Sequence, residues 1–381
     1  MKKLRIGSEK SSSIVNASIS TASSDDEAAP KLSFSRVYSL ALAPQLIYTD
    51  SKLLPSLVSS KTYRQLEFVA MGSWFVFDRS SAHDGDSTST GTLLKIPTTR
   101  EDLVFSDKSI DIRSKRAVMK VLRFLVEFES QEEIWQPFAD KPFAEFLTSH
   151  FKLPGRLHGL FYALTLSLNQ PQETTTAFAL PRIARHLRTT GHFGPGFNSV
   201  IPKWGGLSEI AQVGCRAGAV GGAIYVLNKG LKKATRTSEE SHEDRTSAVL
   251  SDDEHVKTSW IVGTEENLPA ASTPHDDSKS GPNIRRSVTI VSSALPSLFP
   301  PLAEGAPPPA GAVVVFPASS FSDESSPVYL IIHSSETGQC PQGQSTSKHF
   351  LLRPDTPSLQ DDSQKLNTYL HCLNNIDDNF L

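Results

Sequence analysis

The sequence predicts an α+β / α/β chain in which a mixed-sheet domain is split by an inserted helical subdomain. Three observations predict it. Strand-like runs rich in aromatic and β-branched residues lie towards both ends, at Leu66–Phe77 and again at Arg286–Val291, Ala312–Phe316 and Val328–His333. Between them the apolar spacing becomes helical, most clearly at Val118, Val121, Leu122, Leu125 and Val126. Ser-, Asp- and Glu-rich stretches at 1–30 and 232–280 carry few large apolar groups and read as disordered. The expected organisation is a disordered segment at 1–30, a split sheet domain over 31–105 and 200–381, and a helical subdomain over 106–199. The sheet domain carries the acidic, Ser-rich insertion at 232–280.

The elements follow from local signals. Leu53, Leu54, Leu57 and Val58 recur at helical spacing, with Asp50 as the expected N-cap. Leu66–Phe77 reads as two strands bent at Gly72-Ser73, and Thr92–Ile96 as a short strand stopped by Pro97. Asp111–Phe128 reads as a helix whose outer face carries Arg113, Lys115, Arg116, Lys120 and Arg123. Pro142 fits the first position of a helix over Phe143–Phe151, which Pro154-Gly155 ends. Leu157–Leu168 is apolar nearly all round and reads as a buried helix. Thr174–Thr190 reads as an amphipathic helix that Pro181 kinks or splits. An apolar island at Thr258–Val262 reads as a strand, and Gln360–Leu373 as a closing helix.

Composition excludes several classes of function. The 381 residues carry a net charge of −3, so no overall basic character points to nucleic acid. The three cysteines form no metal-ligand spacing and fit a reducing compartment. There is no apolar run long enough to cross a membrane, no secretory signal and no lipidation pattern, so a cytosolic protein is expected. Eleven histidines invite an enzyme reading, but none sits at H-E-x-x-H spacing. No nucleophile elbow or phosphate-binding glycine loop occurs, so neither a catalytic residue nor a cofactor is expected.

The stretch Pro202–Lys229 holds six glycines and four alanines around Arg216, the one charge between Ile210 and Asn228. So few side chains permit close backbone approach to a partner, or equally tight packing within the chain. The helical block leaves a similar choice. Val121, Leu125, Leu160 and Leu164 fit either a dry core or an apolar ligand pocket between helices.

Several segments, in order, resemble the Rab escort protein and Rab GDP-dissociation inhibitor family. They are PQLIY…LLPSL from Pro44, YRQLEF from Tyr63, the segment Ile96–Leu103, KRAVMKVLRFLVEF from Lys115, PFAEFLTSHFKL from Pro142, and Pro202–Lys229 itself. The resemblance implies a GDI-type fold, related to FAD-binding domains, and a mobile Rab-facing loop containing Glu209, Cys215, Arg216 and Tyr225. The pair Cys215-Arg216 looks like the escort branch, whereas Gly221 stands where inhibitors usually carry tyrosine. Phe143 looks like an escort residue that docks the transferase α subunit, with Lys152 near the basic residue of that contact. Val121, Leu125, Leu160 and Leu164 then become a lipid pocket.

The implied partners are GDP-bound Rab GTPases, the Rab geranylgeranyltransferase α/β heterodimer and the geranylgeranyl lipid on Rab, with transient membrane association. The implied role is a non-catalytic accessory subunit that presents Rab for prenylation and carries it to membranes. A dissociation inhibitor or an inactive truncated member are the alternatives. The family's opening strand, its glycine-rich dinucleotide turn and its Tyr-Tyr-Gly-Gly segment find no match here, so an incomplete family member is expected.

Overall fold

The computed structural model describes residues 32–78, 91–97, 110–237, 245–263, 284–301, 307–318 and 327–352, with single positions 268, 305 and 320. The expected disorder at 1–30 and the expected helix Gln360–Leu373 lie outside the described residues. The chain divides into two compact units, a larger one over 31–217 and 282–381 and a smaller one that includes 218–281.

In chain order the first elements are α1 (Leu53–Ser59), β1 (Phe68–Asp78), β2 (Thr92–Lys95), α2 (Ile112–Val126), α3 (Phe143–Phe151), α4 (His158–Leu164) and α5 (Thr176–Thr189). Then follow β3 (Ser199–Pro202), α6 (Leu207–Val220), β4 (Leu231–Thr237), β5 (Arg245–Leu250), β6 (His255–Thr258), β7 (Ile284–Val291), β8 (Gly311–Phe316), β9 (Val328–His333) and β10 (Ser345–Leu352).

The larger unit is built on a seven-stranded sheet in the order β2-β1-β8-β9-β10-β7, with β3 pairing the first half of β1. Only β1 and β8 run parallel; the other neighbours are antiparallel. The two strands expected over Leu66–Phe77 are one. Its register to β8 shifts between Met71 and Trp74, where Ser73 takes φ +45°, so the Gly72-Ser73 signal marks a bulge and not a break.

Beyond the bulge, alternate side chains enter different cores. Trp74 and Val76, with Val313 and Val315 of β8, join Val118, Val121 and Leu125 of α2, Phe146 of α3, Leu160 and Leu164 of α4 and Ile183 of α5. On the other face Phe75, Phe77, Val314, Phe316 and Leu330 pack against Leu295, Leu298 and Phe299. The helical block therefore shares one core with the sheet.

Local chemistry sets the helix ends. The Asp111 carboxylate accepts from the N–H groups of Arg113 and Ser114, both at 3.1 Å, and caps α2. Asp50 does not cap α1, which starts after Lys52 without a side-chain cap; Asp50 accepts instead from Arg185 at 2.7 Å. Pro142 stands one residue earlier than expected, at the N-cap of α3, and Lys152 ends that helix in the left-handed conformation. The helix expected over Leu157–Leu168 closes at Leu164, where Leu166 takes φ +53°. Pro181 does not split α5, because Pro181 and Ala177 lie on its solvent face, where the freed carbonyl meets water.

The smaller unit corrects the sequence reading of 232–280 over part of its length. β4, β5 and β6 form an antiparallel three-stranded sheet. The acidic run Ser251–Glu254, which reads as solvating, makes the turn between β5 and β6, and its carboxylates pair with Lys229 and Lys232. These pairs are exposed and contribute little each. β6 ends at Thr258, so the island Thr258–Val262 is not a strand, and Trp260 and Val262 face solvent.

His186 of α5 is enclosed in the larger core, 3.3 Å from the Tyr48 hydroxyl and edge-on to Trp74 at 4.6 Å. Burial pulls its pKa down to about 3, and burial likewise lowers those of His158 and His333. Above about pH 6.5 all three are neutral folded or unfolded. Below it the unfolded chain takes up protons that the folded chain refuses. The unfolding free energy should therefore fall from pH 7 to pH 5, by up to about 1.4 kcal/mol per pH unit for each of the buried His186 and His333 and by less for the half-buried His158. Denaturant titrations at fixed ionic strength check this, and His186→Phe should flatten the slope.

Candidate functional site

The segment Pro202–Lys229 contains a helix held at its ends and largely exposed along its length. At the start, Gly206 takes φ +65° with its backbone against Ala41, and Glu209 Oε1 accepts from the Gly205 N–H at 3.3 Å. At the end, Ala223 N–H donates to Gly218 O and Gly222 N–H to Ala219 O, with Gly222 at φ +92°. That paired closure is a Schellman cap, so Gly222 is the helix stop. No residue of α6 between these caps is buried. Two interior glycines, Gly214 and Gly218, each cost the helix about 1 kcal/mol relative to alanine. A helix of 14 residues with two interior glycines and only partial burial at Leu207, Ile210 and Val213 is weakly held by its own chain.

Arg216 and Cys215 are exposed on α6, and Arg216 has no ion pair among the described residues. Glu209 is half-buried and serves the start of the helix. Tyr225 belongs to the smaller unit, where its hydroxyl lies against Gly218 so closely that a Cβ there would meet it at 2.3 Å. Beside Tyr225 the side chains of Ile224, Val226 and Leu227 are all exposed. The four loop residues thus split into a helix start, two exposed positions on α6 and one aromatic in the other unit.

The helical layer offers a second surface. An open groove of about 380 Å³ is lined by Lys120, Arg123 and Phe124 of α2, by Glu127 at its C-cap, by Ile134, and by His150 and Phe151 of α3. Its floor is aromatic, with Phe124 and Phe151 centroids 5.3 Å apart and each packed on Phe146. Its rim carries Lys120 and Arg123 beside the carboxylate of Glu127, and the exposed Lys152 follows Phe151 directly. Sequence reasoning placed Lys120 and Arg123 outside but did not join them to His150 and Phe151. An apolar residue at the last position of α3 beside a basic outer face was the available signal.

The expected docking residue Phe143 is buried, 6.4 Å from Phe146, and presents no surface of its own. It supports the groove through Phe146. Val121, Leu125, Leu160 and Leu164 are each at most 2% exposed, and none lines the groove. In this conformation they are packed core. No helix among the described residues is long and apolar enough to cross a membrane.

Comparison with known proteins follows the same lines. The family described as GDP dissociation inhibitor matches residues 2–379. Rab proteins geranylgeranyltransferase component A of Candida albicans is 29% identical over 317 residues, covering 81% of this chain and 46% of that protein. The protein of the same name from Saccharomyces cerevisiae is 28% identical over 315 residues, covering 81% of this chain and 47% of that protein. The chain spans about half the length of these curated relatives. Its fold is similar to that of a Rab GDI from Plasmodium falciparum, with a TM-score of 0.61 at 16% identity over 87% of this chain and 71% of that one. With a match that runs nearly from end to end, the chain belongs to the GDP dissociation inhibitor family.

Proposed function

We propose that this protein is a Rab escort protein: it binds GDP-bound Rab GTPases and presents them to Rab geranylgeranyltransferase, then carries the prenylated Rab to membranes. The observation that carries the reading is α6, a capped helix with no fully buried residue, whose exposed side displays Arg216 as its lone cation. A helix left bare on a folded unit gains its stability from a partner that covers it. The relatives named as component A of the transferase support the escort branch.

The protein acts without a catalytic residue or cofactor of its own, in the cytosol and transiently at membranes. The groove beside α3 is the docking surface for the transferase, with Arg123 and Lys152 as its charged contacts and Phe143 as its internal support. Shielding a geranylgeranyl chain among Val121, Leu125, Leu160 and Leu164 requires α2 and α4 to part, because all four are closed in the core. The gain is the removal of isoprenoid surface from water, at about 25 cal/mol per Å².

Arg216→Glu should weaken binding of GDP-loaded, unprenylated Rab about tenfold or more, equivalent to about 1.4 kcal/mol, with no change in the unfolding midpoint. Titration calorimetry beside a denaturant curve reads both; undiminished affinity would remove Arg216 from the interface.

The double variant Arg123→Glu/Lys152→Glu should leave Rab binding intact and weaken assembly with the transferase heterodimer. Phe143→Ala should instead lower stability by about 3–5 kcal/mol, because it empties a core position. Co-elution on size exclusion separates these outcomes. Rab binding with no transferase binding at all, even by the unaltered chain, would favour a dissociation inhibitor over an escort.

A further inference from the structure

Away from the groove and the exposed face of α6, the larger unit buries a cation with no carboxylate beside it. Lys348 of β10 is 1% exposed, and its ammonium donates to His333 Nδ1 at 3.0 Å and to Gln339 Oε1 at 2.5 Å. Both partners are neutral, and Lys348 makes no ion pair among the described residues. The nearby Cys340 thiol is pushed up to about 11 by burial and so stays protonated near neutrality. Burial pulls the lysine down to about 7, the mark of a charge that lacks compensation.

The two acceptors fix the outward-facing atoms. With its Nδ1 accepting from the ammonium, neutral His333 carries its proton on Nε2. With Oε1 of Gln339 occupied, that side chain turns its amide NH₂ outward. Nε2 of His333 and Nε2 of Gln339 are both buried donors without a hydrogen-bond partner among the described residues. Both residues line one small cavity of about 10 Å³, enclosed also by Gln45, Ile201, Gly206 and Leu207. That is room for one water-sized occupant. Gly206 and Leu207 begin α6, so the positive end of a 14-residue helix borders the same space. Glu209 is the one carboxylate close by in sequence, and it is engaged with the Gly205 N–H.

We propose that this cavity is a binding site for a single small monovalent anion of halide size, held by the Nε2–H of His333 and the side-chain amide of Gln339. Two buried donors without a partner among the described residues belong to side chains that line it, the Lys348 ammonium bonds the other end of both side chains, and a helix start adds to the same field. A halide needs donors alone, which is what His333 and Gln339 offer, whereas a water's two protons would call on the Gln45 amide oxygen at the cavity's exposed edge. The bound anion compensates Lys348 and ties the start of α6 to the β9–β10 connection. That connection already receives the Trp204 N–H at Thr337 O, 2.7 Å away. The site does not depend on the Rab reading.

Thermal unfolding of the full chain at constant ionic strength, with sodium chloride replaced by sodium gluconate, tests the proposal. Chloride should raise Tm saturably, by about 3 °C, and bromide should do the same. Lys348→Met and Gln339→Leu should each abolish the halide response. In bromide-soaked crystals the anomalous signal should lie within hydrogen-bond reach of His333 Nε2, a result that needs no variant to fold. Equal melting in chloride and gluconate would overturn the proposal. So would a halide response that survives both substitutions, or a bromide site found only elsewhere.

Discussion

The parallel pairing of β1 with β8 is the constraint from which the rest of the larger unit follows. It joins strands far apart in sequence at the centre of the sheet and buries both of their faces. The approach is close: a Cβ on Gly311 would lie 2.2 Å from Met71 Sδ and 3.2 Å from Ile332 O, so a side chain there would displace the buried Met71. A strand pair buried on both sides needs two covers. The helices α2 to α5 supply one and the turn around Leu295–Phe299 the other. Once both faces are covered, what remains uncovered stands out. Those surfaces are the length of α6 and the basic, aromatic-floored groove at α2 and α3.

The two differ in what holds them. The groove is rigidly backed, because Phe124, Phe146 and Phe151 are mutually packed and Phe143 lies behind them. α6 is held by its caps and by the partial burial of Leu207, Ile210 and Val213, so its order is cheap to change. A fixed platform for one partner and an adaptable helix for another suit a protein that hands cargo on, since release of the adaptable side need not disturb the fixed one.

Much of the layered core was legible because its signals are periodic. The stripe of α2 and the runs of β8 and β9 are plain in the sequence. β10 is not, because Ser345, Thr346, Ser347 and Lys348 are polar residues that the fold buries, and burial there is decided by partners distant in sequence. β4 and β5 read as disordered because their Lys, Arg, Thr and Ser content masks alternation on a largely solvated sheet. Arg216 was legible as a lone charge in a small-residue run. The closure of Phe143 into the core was not, since an aromatic at a helix start looks the same whether it faces a partner or its own fold. The cluster of Lys348, His333 and Gln339 left no local signal at all.

The central claim is that α6 is left bare for a Rab partner. Amide hydrogen exchange of the free chain and of the chain with GDP-loaded, unprenylated Rab tests it most directly. Exchange along Ile210–Val220 should be fast in the free chain, well ahead of α5, and should slow markedly when Rab is added. Protection in the free chain equal to that of α5, or no change with Rab at saturating concentration, would contradict the account.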